Sequence, residues 1–330
     1  MIHRKNYLDA LRGITIFLVV FIHVTRIPEI RTYISGFVLP IFFFISGVLF
    51  SPEKNKNFRH FFVKKIKSLL IPYCFFYLIT FFYWLAVERN VRGGVSPGSQ
   101  LLGLFYGTYN LKYMFFNGAL WFLPCLFTTE ILYFWICKIP KVWGRIFMLS
   151  VSFLLGILLL YNGISWLPWG ANAALFACVF YGIGNCLKNK IGYIENRSLA
   201  YYIIIIAICS ILQFILFDYN TLADLSSLSI NYYFFIPMAI IGIMLFLSIS
   251  LVIKKNKLLE FLGVNSLVIF AFQEQTYRAV IFLFVKFSGW EIELVRENFL
   301  ISVLISVITI LIITPLIFGY NKFIKPLLLK

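Results

Sequence analysis

Charged residues are scarce in this chain of 330 residues: Asp, Glu, Lys and Arg together make up 13% of it. A soluble globular protein has about a quarter charged residues and about half apolar ones. Here the hydrophobic fraction is 61% and the mean hydropathy is +0.91. The composition therefore excludes a soluble globular protein and indicates an integral membrane protein.

Acidic residues and histidines are few as well. The chain has 13 acidic residues against 29 basic ones, which gives a net charge of +16, and it has three histidines. Its six cysteines show neither CxxC spacing nor histidine pairs, so we predict no metal site and interpret them as small apolar packing residues. A basic excess suits either nucleic acid or a membrane surface, and the positions of the charges decide between the two.

Long apolar runs are abundant. A helix needs about 20 mostly apolar residues to cross a bilayer, and backbone in lipid must satisfy its own hydrogen bonds. Ten runs predict an all-α polytopic membrane helix bundle of about ten transmembrane helices, in which residues 1–330 form one integral-membrane domain without a soluble domain. The predicted spans are Tyr7–Arg26, Tyr33–Phe50, Leu69–Val87, Ala119–Cys137, Ile146–Tyr161, Trp166–Leu187, Leu199–Phe217, Tyr232–Ile253, Leu262–Phe287 and Phe299–Tyr320.

Basic residues alternate between the loops in a way that predicts orientation, because cytoplasmic loops collect Lys and Arg. One side of the membrane receives 20 of the 29 basic residues, namely Arg4, Lys5, Lys54, Lys56, Arg59, Lys64, Lys65, Lys67, Lys138, Lys141, Arg145, Lys188, Lys190, Arg197, Lys254, Lys255, Lys257, Lys322, Lys325 and Lys330. The pattern predicts that both termini are cytoplasmic and that the excess charge serves the membrane, with no nucleic acid as a partner.

Two ionisable residues, Arg12 and His23, lie within the first predicted span. Eleven residues of α-helix return to within about 20° of the same face and cover about 16 Å, so both side chains line one groove at different depths. Such groups are costly in lipid unless they are paired or hydrated. The functional interpretation is that Arg12 binds an anion near the cytoplasmic mouth and His23 exchanges protons deeper in the bilayer. The alternative is that Arg12 reaches the headgroups and His23 is satisfied in the core.

Other polar residues are candidates to line the same cavity. Glu130 lies within the fourth predicted span, as an interhelical hydrogen-bonding group or as a catalytic one. Glu274 and Arg278 interrupt the ninth span at i,i+4 spacing with the acid first, which predicts an ion pair of structural or functional role.

Two predicted loops also have both a structural and a functional interpretation. The basic run Lys64, Lys65, Ile66, Lys67 between the second and third predicted spans either holds its loop on the cytoplasmic side or binds the phosphates of a nucleotide-bearing ligand. The longest outer connection, Glu88 to about Gly118, forms either part of a site or a mobile linker.

Together these residues resemble the acyltransferase-3 family of membrane acyltransferases. The stretch NYLDALRGITIFLVVFIH, Asn6 to His23, is similar to that family's opening pattern of Arg, ten residues and His. Four further stretches fit in order: PIFFFISGVLF (Pro40 to Phe50), FVKKIKSLLIPY (Phe62 to Tyr73), LWFLPCLFTTE (Leu120 to Glu130) and LGVNSLVIFAF (Leu262 to Phe272). The likeness covers most of the chain.

The resemblance implies a membrane O-acyltransferase of the polysaccharide or O-antigen type, in the bacterial inner membrane. Such proteins take acyl groups, usually acetyl from cytoplasmic acetyl-CoA, and attach them to hydroxyls of surface polysaccharides or of their lipid-linked precursors. Acetyl-CoA is then a co-substrate, and no permanently bound cofactor is expected. Arg12 and His23 are the implied essential pair, with His23 acting as general base on a sugar hydroxyl or accepting the acyl group first.

The candidate site residues fall into three groups. The catalytic candidates are His23, Arg12 and Glu130, the last of which would orient the imidazole. The donor-binding candidates are Arg12, Lys64, Lys65, Lys67 and Ser46, and the acceptor-side candidates are Gln273, Glu274, Arg278 and Trp121. The expected partners are acyl-CoA, a polysaccharide or lipid-linked sugar, and membrane lipids.

Two positions depart from the family pattern. Lysines stand at 64, 65 and 67 where many relatives have arginines, and a lysine keeps the charge but lacks the bidentate fork. Gln273 stands where many relatives have His, so that imidazole is either dispensable or replaced by an amide that positions a substrate hydroxyl. The alternatives from other classes are a transporter or flippase for a lipid-linked glycan or small anion, and a non-catalytic partner in a polysaccharide assembly complex. The chain shows no inverted repeats of the kind that transporters carry.

Overall fold

The computed structural model describes residues 6–55, 57–109, 111–165, 167–219, 223–231 and 233–328. Within these ranges the protein is almost entirely helical, and ten helical segments are long and apolar enough to cross a membrane. They are Asn6–Val24, Pro28–Leu49, Phe58–Glu88, Gly118–Ile136, Val142–Tyr161, Pro168–Glu195, Leu199–Tyr219, Phe235–Ile253, Ser266–Ser288 and Phe299–Leu328. The predicted all-α fold and its ten spans are confirmed.

The elements follow one another in a simple order. The α-helices are α1 (Asn6–Val24), α2 (Pro28–Leu49), α3 (Phe58–Lys65), α4 (Ile71–Tyr83), α5 (Pro97–Tyr106), α6 (Leu111–Met114), α7 (Phe122–Ile136), α8 (Val142–Tyr161), α9 (Ala171–Glu195), α10 (Leu199–Leu216), α11 (Phe235–Ile253), α12 (Lys257–Val264), α13 (Ser266–Ser288), α14 (Ile292–Glu297), α15 (Phe299–Gly319) and α16 (Lys325–Leu328). Turns of π-helix occupy Ile66–Leu70, Trp84–Glu88 and Tyr320–Ile324, and 3₁₀ turns occupy Pro52–Asn55, Gly118–Trp121, Pro168–Gly170 and Phe217–Tyr219. Two short antiparallel strands, β1 (Ala223–Asp224) and β2 (Ser229–Ile230), pair with each other.

Some boundaries differ from the predicted ones. The third span begins at Phe58 instead of Leu69, because the side chain of Asn57 accepts a hydrogen bond from the backbone N–H of His60 and so caps α3. The lysines at 64, 65 and 67 therefore lie on α3 and its π-helical continuation, and their predicted place in a loop is wrong. A lysine tolerates such a position because its methylene stem packs along apolar surface while the ammonium reaches water or a charged partner. The predicted span starts Trp166 and Tyr232 lie outside the described residues.

The long connection after the third span has a folded structure of its own. It contains α5 and α6, and two tyrosines of α4 hold it. The hydroxyl of Tyr73 donates to the carbonyl of Leu104 at 3.1 Å, and that of Tyr77 donates to the carbonyls of Gln100 and, at 2.9 Å, Tyr113. A buried tyrosine hydroxyl normally needs such partners, so these bonds join the connection to the span before it.

Two compact units make up the chain. The first comprises the described residues of Met1–Leu49, Ile183–Leu225 and Ser229–Ile317, and the second comprises those of Phe50–Gly182, Ser226–Leu228 and Phe318–Lys330. In the first unit α1 packs against α2, α11, α12 and α13. In the second, α7 packs against α3 and against the π-helical turn that follows it.

The backbone of α1 approaches α12 closely in the first unit. A Cβ atom at Gly13 would collide with the backbone carbonyl of Leu259, and one at Gly263 would collide with that of Asp9. Only glycine therefore fits at both contact points, as in other tight helix crossings. This crossing fixes the amino-terminal half of α1, where Arg12 lies half-buried next to Gly13.

Candidate active site

The imidazole of His23 lies on the last turn of α1 and faces α13. Its ring stacks on the buried ring of Tyr277 with the centroids 6.4 Å apart and the planes 16° from parallel. Since α1 is one unbroken helix from Asn6 to Val24, Arg12 and His23 share a rigid element, as the sequence predicted.

An ion pair on α13 borders the histidine. Nη1 of Arg278 lies 3.1 Å from Oε2 of Glu274, and the two side chains are 15% and 9% exposed. The pair predicted from the i,i+4 spacing is confirmed. Both charges lie close enough to act electrostatically on the imidazole, as do Arg31 and Asp224. His23 is therefore set in a group of compensating charges rather than in a purely apolar core.

Gln273 lies one helical turn before Tyr277 on α13 and has no exposed surface. Among the described residues, neither its amide nitrogen nor its amide oxygen has a hydrogen-bond partner. Buried side-chain amides are normally bonded, so this residue stands out in the first unit. We name the group formed by His23, Gln273, Glu274, Tyr277 and Arg278 the histidine cluster.

Arg296, on α14, fixes the end of α1 that carries His23. Its Nε donates to the carbonyl of Val24 at 2.8 Å and its Nη2 to the carbonyl of His23 at 2.7 Å. These are among the last carbonyls of α1, which have no partner within their own helix. In return, the backbone carbonyl of Arg296 accepts from the N–H of Arg26 at 2.8 Å. Burial lowers the pKa of Arg296, and the nearby Tyr277 opposes this shift.

The same guanidinium also lies over the ring of Tyr277, with its carbon 5.9 Å from the ring centroid. Arg296 thus contacts both the backbone of His23 and the ring on which the imidazole stacks. The sequence alone assigned Arg296 no role in the site. A contact that joins residues 273 positions apart has no local signature, and no sequence signal would have found it.

A second cluster lies in the other unit and centres on Glu130. This residue is 4% exposed on α7. Nζ of Lys65 lies 2.8 Å from Oε1 and 2.7 Å from Oε2, and the hydroxyl of Tyr181 donates to Oε1 at 3.4 Å. The structure thus joins a residue predicted to bind the donor with one predicted to orient the imidazole, a pairing that the sequence did not predict. We name Lys65, Glu130 and Tyr181 the lysine cluster.

The remaining candidates are distributed over both units. Lys64 is exposed and Lys67 half-buried in the second unit, where Trp121 is buried at the end of a 3₁₀ turn. Ser46 is half-buried on α2 in the first unit. No group of His, Cys, Asp and Glu suited to a metal ion occurs among the described residues.

The fold and the histidine cluster define a multi-pass membrane protein with a histidine set among buried polar groups. The chain belongs to the acyltransferase-3 family: the family model, described as an acyltransferase domain, matches residues 5–318. Comparison with curated proteins and with solved structures finds no match. The protein is therefore a membrane acyltransferase.

Proposed function

We propose that the protein is a membrane O-acetyltransferase that moves an acetyl group from cytoplasmic acetyl-CoA to a hydroxyl of a surface-polysaccharide sugar or its lipid-linked precursor. The observation that carries the proposal is the setting of His23. Its imidazole stacks on Tyr277 beside the Glu274–Arg278 pair, in a chain that belongs to an acyltransferase family. Imidazole is the side chain whose ordinary pKa suits proton transfer at near-neutral pH.

In this proposal Arg12 binds the anionic phosphates of the donor at the cytoplasmic end of α1. A guanidinium suits this task because its planar fork bonds two phosphate oxygens at once. The helical rise from Arg12 to His23 is about 16 Å, which leaves room for the thin pantetheine arm to extend towards the imidazole. Ser46, Lys64 and Lys67 are further candidates for donor binding, whereas the charge of Lys65 is already paired with Glu130.

His23 then acts as the general base. The sugar oxygen forms a bond to the acyl carbon while its proton passes to the imidazole, the C–S bond breaks, and the imidazolium returns a proton to the departing CoA thiolate. Glu274 stabilises the imidazolium through its negative charge. In the two-step variant the imidazole itself accepts the acyl group before the sugar attacks. Trp121, Glu274 and Arg278 are the acceptor-side candidates.

The proposal places the protein in a bacterial plasma membrane with both termini in the cytoplasm. It rests on the loop charges, since Lys and Arg collect on the cytoplasmic side. Reporter domains fused after residue 330 test this orientation, because a periplasm-dependent reporter that became active there would contradict it.

The experiment that tests the function supplies labelled acetyl-CoA to membranes containing the wild type, His23→Ala or His60→Ala. General-base assistance contributes typically 10²–10⁴-fold, so His23→Ala should lower incorporation into glycan by at least a factor of about 100. His60 is the matched control, because it is exposed on α3. Equal incorporation by the wild type and His23→Ala would remove His23 from the chemistry.

A further inference from the structure

The side-chain amide of Gln273, in the histidine cluster, has no hydrogen-bond partner at either of its polar atoms within the described residues. Glu274 is bonded to Arg278, and the hydroxyl of Thr276 donates to the carbonyl of Phe272 at 2.9 Å. Gln273 has no exposed surface, yet neither of its amide atoms has a partner among the described residues. Burying a carboxamide without hydrogen bonds is unfavourable, so such a group is suited to bind a molecule that supplies them.

The hydrogen-bonding chemistry of the Gln273 side chain limits which ligands could pair with it. A glutamine side chain offers an NH₂ donor and a carbonyl acceptor a short distance apart. A secondary amide presents the complementary pair, a carbonyl acceptor and an N–H donor. The pantetheine arm of an acyl-CoA contains two such amides, whereas its remaining atoms between the phosphates and the sulfur are mainly apolar.

The position of Gln273 along the bundle agrees with this choice. The contacts of α12 with Asp9 and Gly13 place the start of α13 beside the amino-terminal half of α1, and Tyr277 contacts His23 at the other end. The two helices therefore run parallel, and Gln273 lies between the level of Arg12 and the level of His23. An arm that extends from Arg12 to His23 passes Gln273 on the way.

The distances agree as well. Gln273 precedes Tyr277 by four residues, which is about 6 Å of helical rise. In an acyl-CoA two methylene groups separate the sulfur from the nearest amide nitrogen, a distance of about 4 Å at ordinary bond lengths. With the thioester at the level of His23, that amide lies roughly one helical turn away, at the level of Gln273.

We propose that Gln273 binds the pantetheine amide nearest the thioester of the acyl donor, and so sets how far the acyl group reaches towards His23. This inference rests on the proposed function, because it requires an acyl-CoA donor. The inference assigns Gln273 to the donor-binding site, whereas the sequence analysis assigned it to the acceptor side. An acceptor sugar hydroxyl is the competing occupant, and the experiment below separates the two.

The test measures binding first, so that it does not depend on turnover. A thioether analogue of acetyl-CoA, which cannot transfer its acetyl group, is titrated into the purified full-length protein, into Gln273→Leu and into Thr276→Val. One neutral hydrogen bond or two correspond to about a fivefold to fiftyfold change in affinity, so Gln273→Leu should weaken binding by about tenfold. Thr276→Val, a matched control on the same helix with a bond only to its own turn, should bind like the wild type.

A second acyl donor, in which that amide is replaced by an ester, allows a double-mutant cycle between Gln273 and the donor amide. The wild type should lose about tenfold in kcat/KM with this analogue, and Gln273→Leu should lose nothing further, because the same contact is already gone. If the two losses multiply, or if Gln273→Leu raises the KM for the sugar alone, Gln273 contacts the acceptor and the inference is overturned. If the wild type binds neither acyl-CoA nor its analogue, the proposed function itself fails, which is a separate result.

Discussion

The histidine cluster and the lysine cluster each contain a buried carboxylate paired with a cation, but the two pairs are built differently. Glu274 is bonded to Arg278 on the same helix, four residues away. Glu130, on α7, is bonded to Lys65 at the end of α3, 65 residues away. An intrahelical pair forms wherever its helix forms, whereas an interhelical pair also joins two elements. We therefore expect the lysine cluster to serve stability and the histidine cluster to serve chemistry.

Replacing Lys65 should have the largest effect on the free energy of unfolding and tests most directly whether the two clusters differ in role. Lys65→Met leaves the Glu130 carboxylate buried without its cation, and breaking a buried pair costs about 3–5 kcal/mol. Because the Lys65 side chain is 20% exposed, we expect about 3 kcal/mol, measured as the free energy of unfolding in detergent micelles.

Two controls belong to that measurement. Lys64→Met removes an exposed neighbouring charge and should change the unfolding free energy by less than about 0.5 kcal/mol. The double variant Lys65→Met with Glu130→Leu should recover most of the loss, since a hydrophobic replacement of a whole buried pair is often neutral. A double variant as unstable as the single one would show that Glu130 has another role.

Replacing Glu274 should give a smaller loss, and mainly in turnover. Glu274→Gln preserves shape but removes the negative charge that, in the proposed mechanism, stabilises the His23 imidazolium, and a nearby opposite charge in a site of intermediate polarity is worth about 2 kcal/mol. We therefore expect kcat to fall by roughly 30-fold, measured with labelled acetyl-CoA in membranes.

The free energy of unfolding of Glu274→Gln should fall by about 1–2 kcal/mol, less than for Lys65→Met, because the Gln amide oxygen still accepts a hydrogen bond from the buried guanidinium of Arg278. Glu297→Gln, an exposed acid near the end of α14, is the matched control for the loss of one negative charge. Should Glu274→Gln unfold as readily as Lys65→Met while keeping its turnover, the division of roles between the two clusters would be reversed.

Replacing Arg296 tests whether turnover depends on the position of the imidazole as much as on the charges around it. Lysine keeps the positive charge, but its single ammonium cannot reproduce the two bonds that the guanidinium makes to the carbonyls of His23 and Val24. We expect Arg296→Lys to lower kcat by about tenfold, because small displacements of a catalytic group are costly, while the KM for acetyl-CoA stays unchanged. A rise in KM with normal kcat would indicate a donor-binding role instead.

The sequence was sufficient wherever a feature is local. All ten spans could be predicted because each is a continuous apolar run, and the Glu274–Arg278 pair could be predicted because four residues make one helical turn. The start of the third span was placed too late because its basic residues look like a loop, although Asn57 caps a helix there. The contacts Lys65–Glu130 and Arg296–His23 depend on how distant segments of the chain pack, and no periodic pattern in the sequence indicates such packing.

The smallest expected effect concerns Arg26, a second arginine that follows α1 and contacts α14. Nη1 of Arg26 lies 3.5 Å from Oε1 of Glu293, and the two side chains are 47% and 56% exposed. Exposed ion pairs contribute about 0–1 kcal/mol, so Arg26→Gln should change the unfolding free energy by less than about 0.5 kcal/mol and leave kcat unchanged. Because Arg26 bonds to the carbonyl of Arg296 through its backbone N–H, the substitution preserves that contact. A loss of kcat in Arg26→Gln similar to that of Arg296→Lys would mean that the charge of this loop, rather than the two bonds to the end of α1, maintains the position of His23.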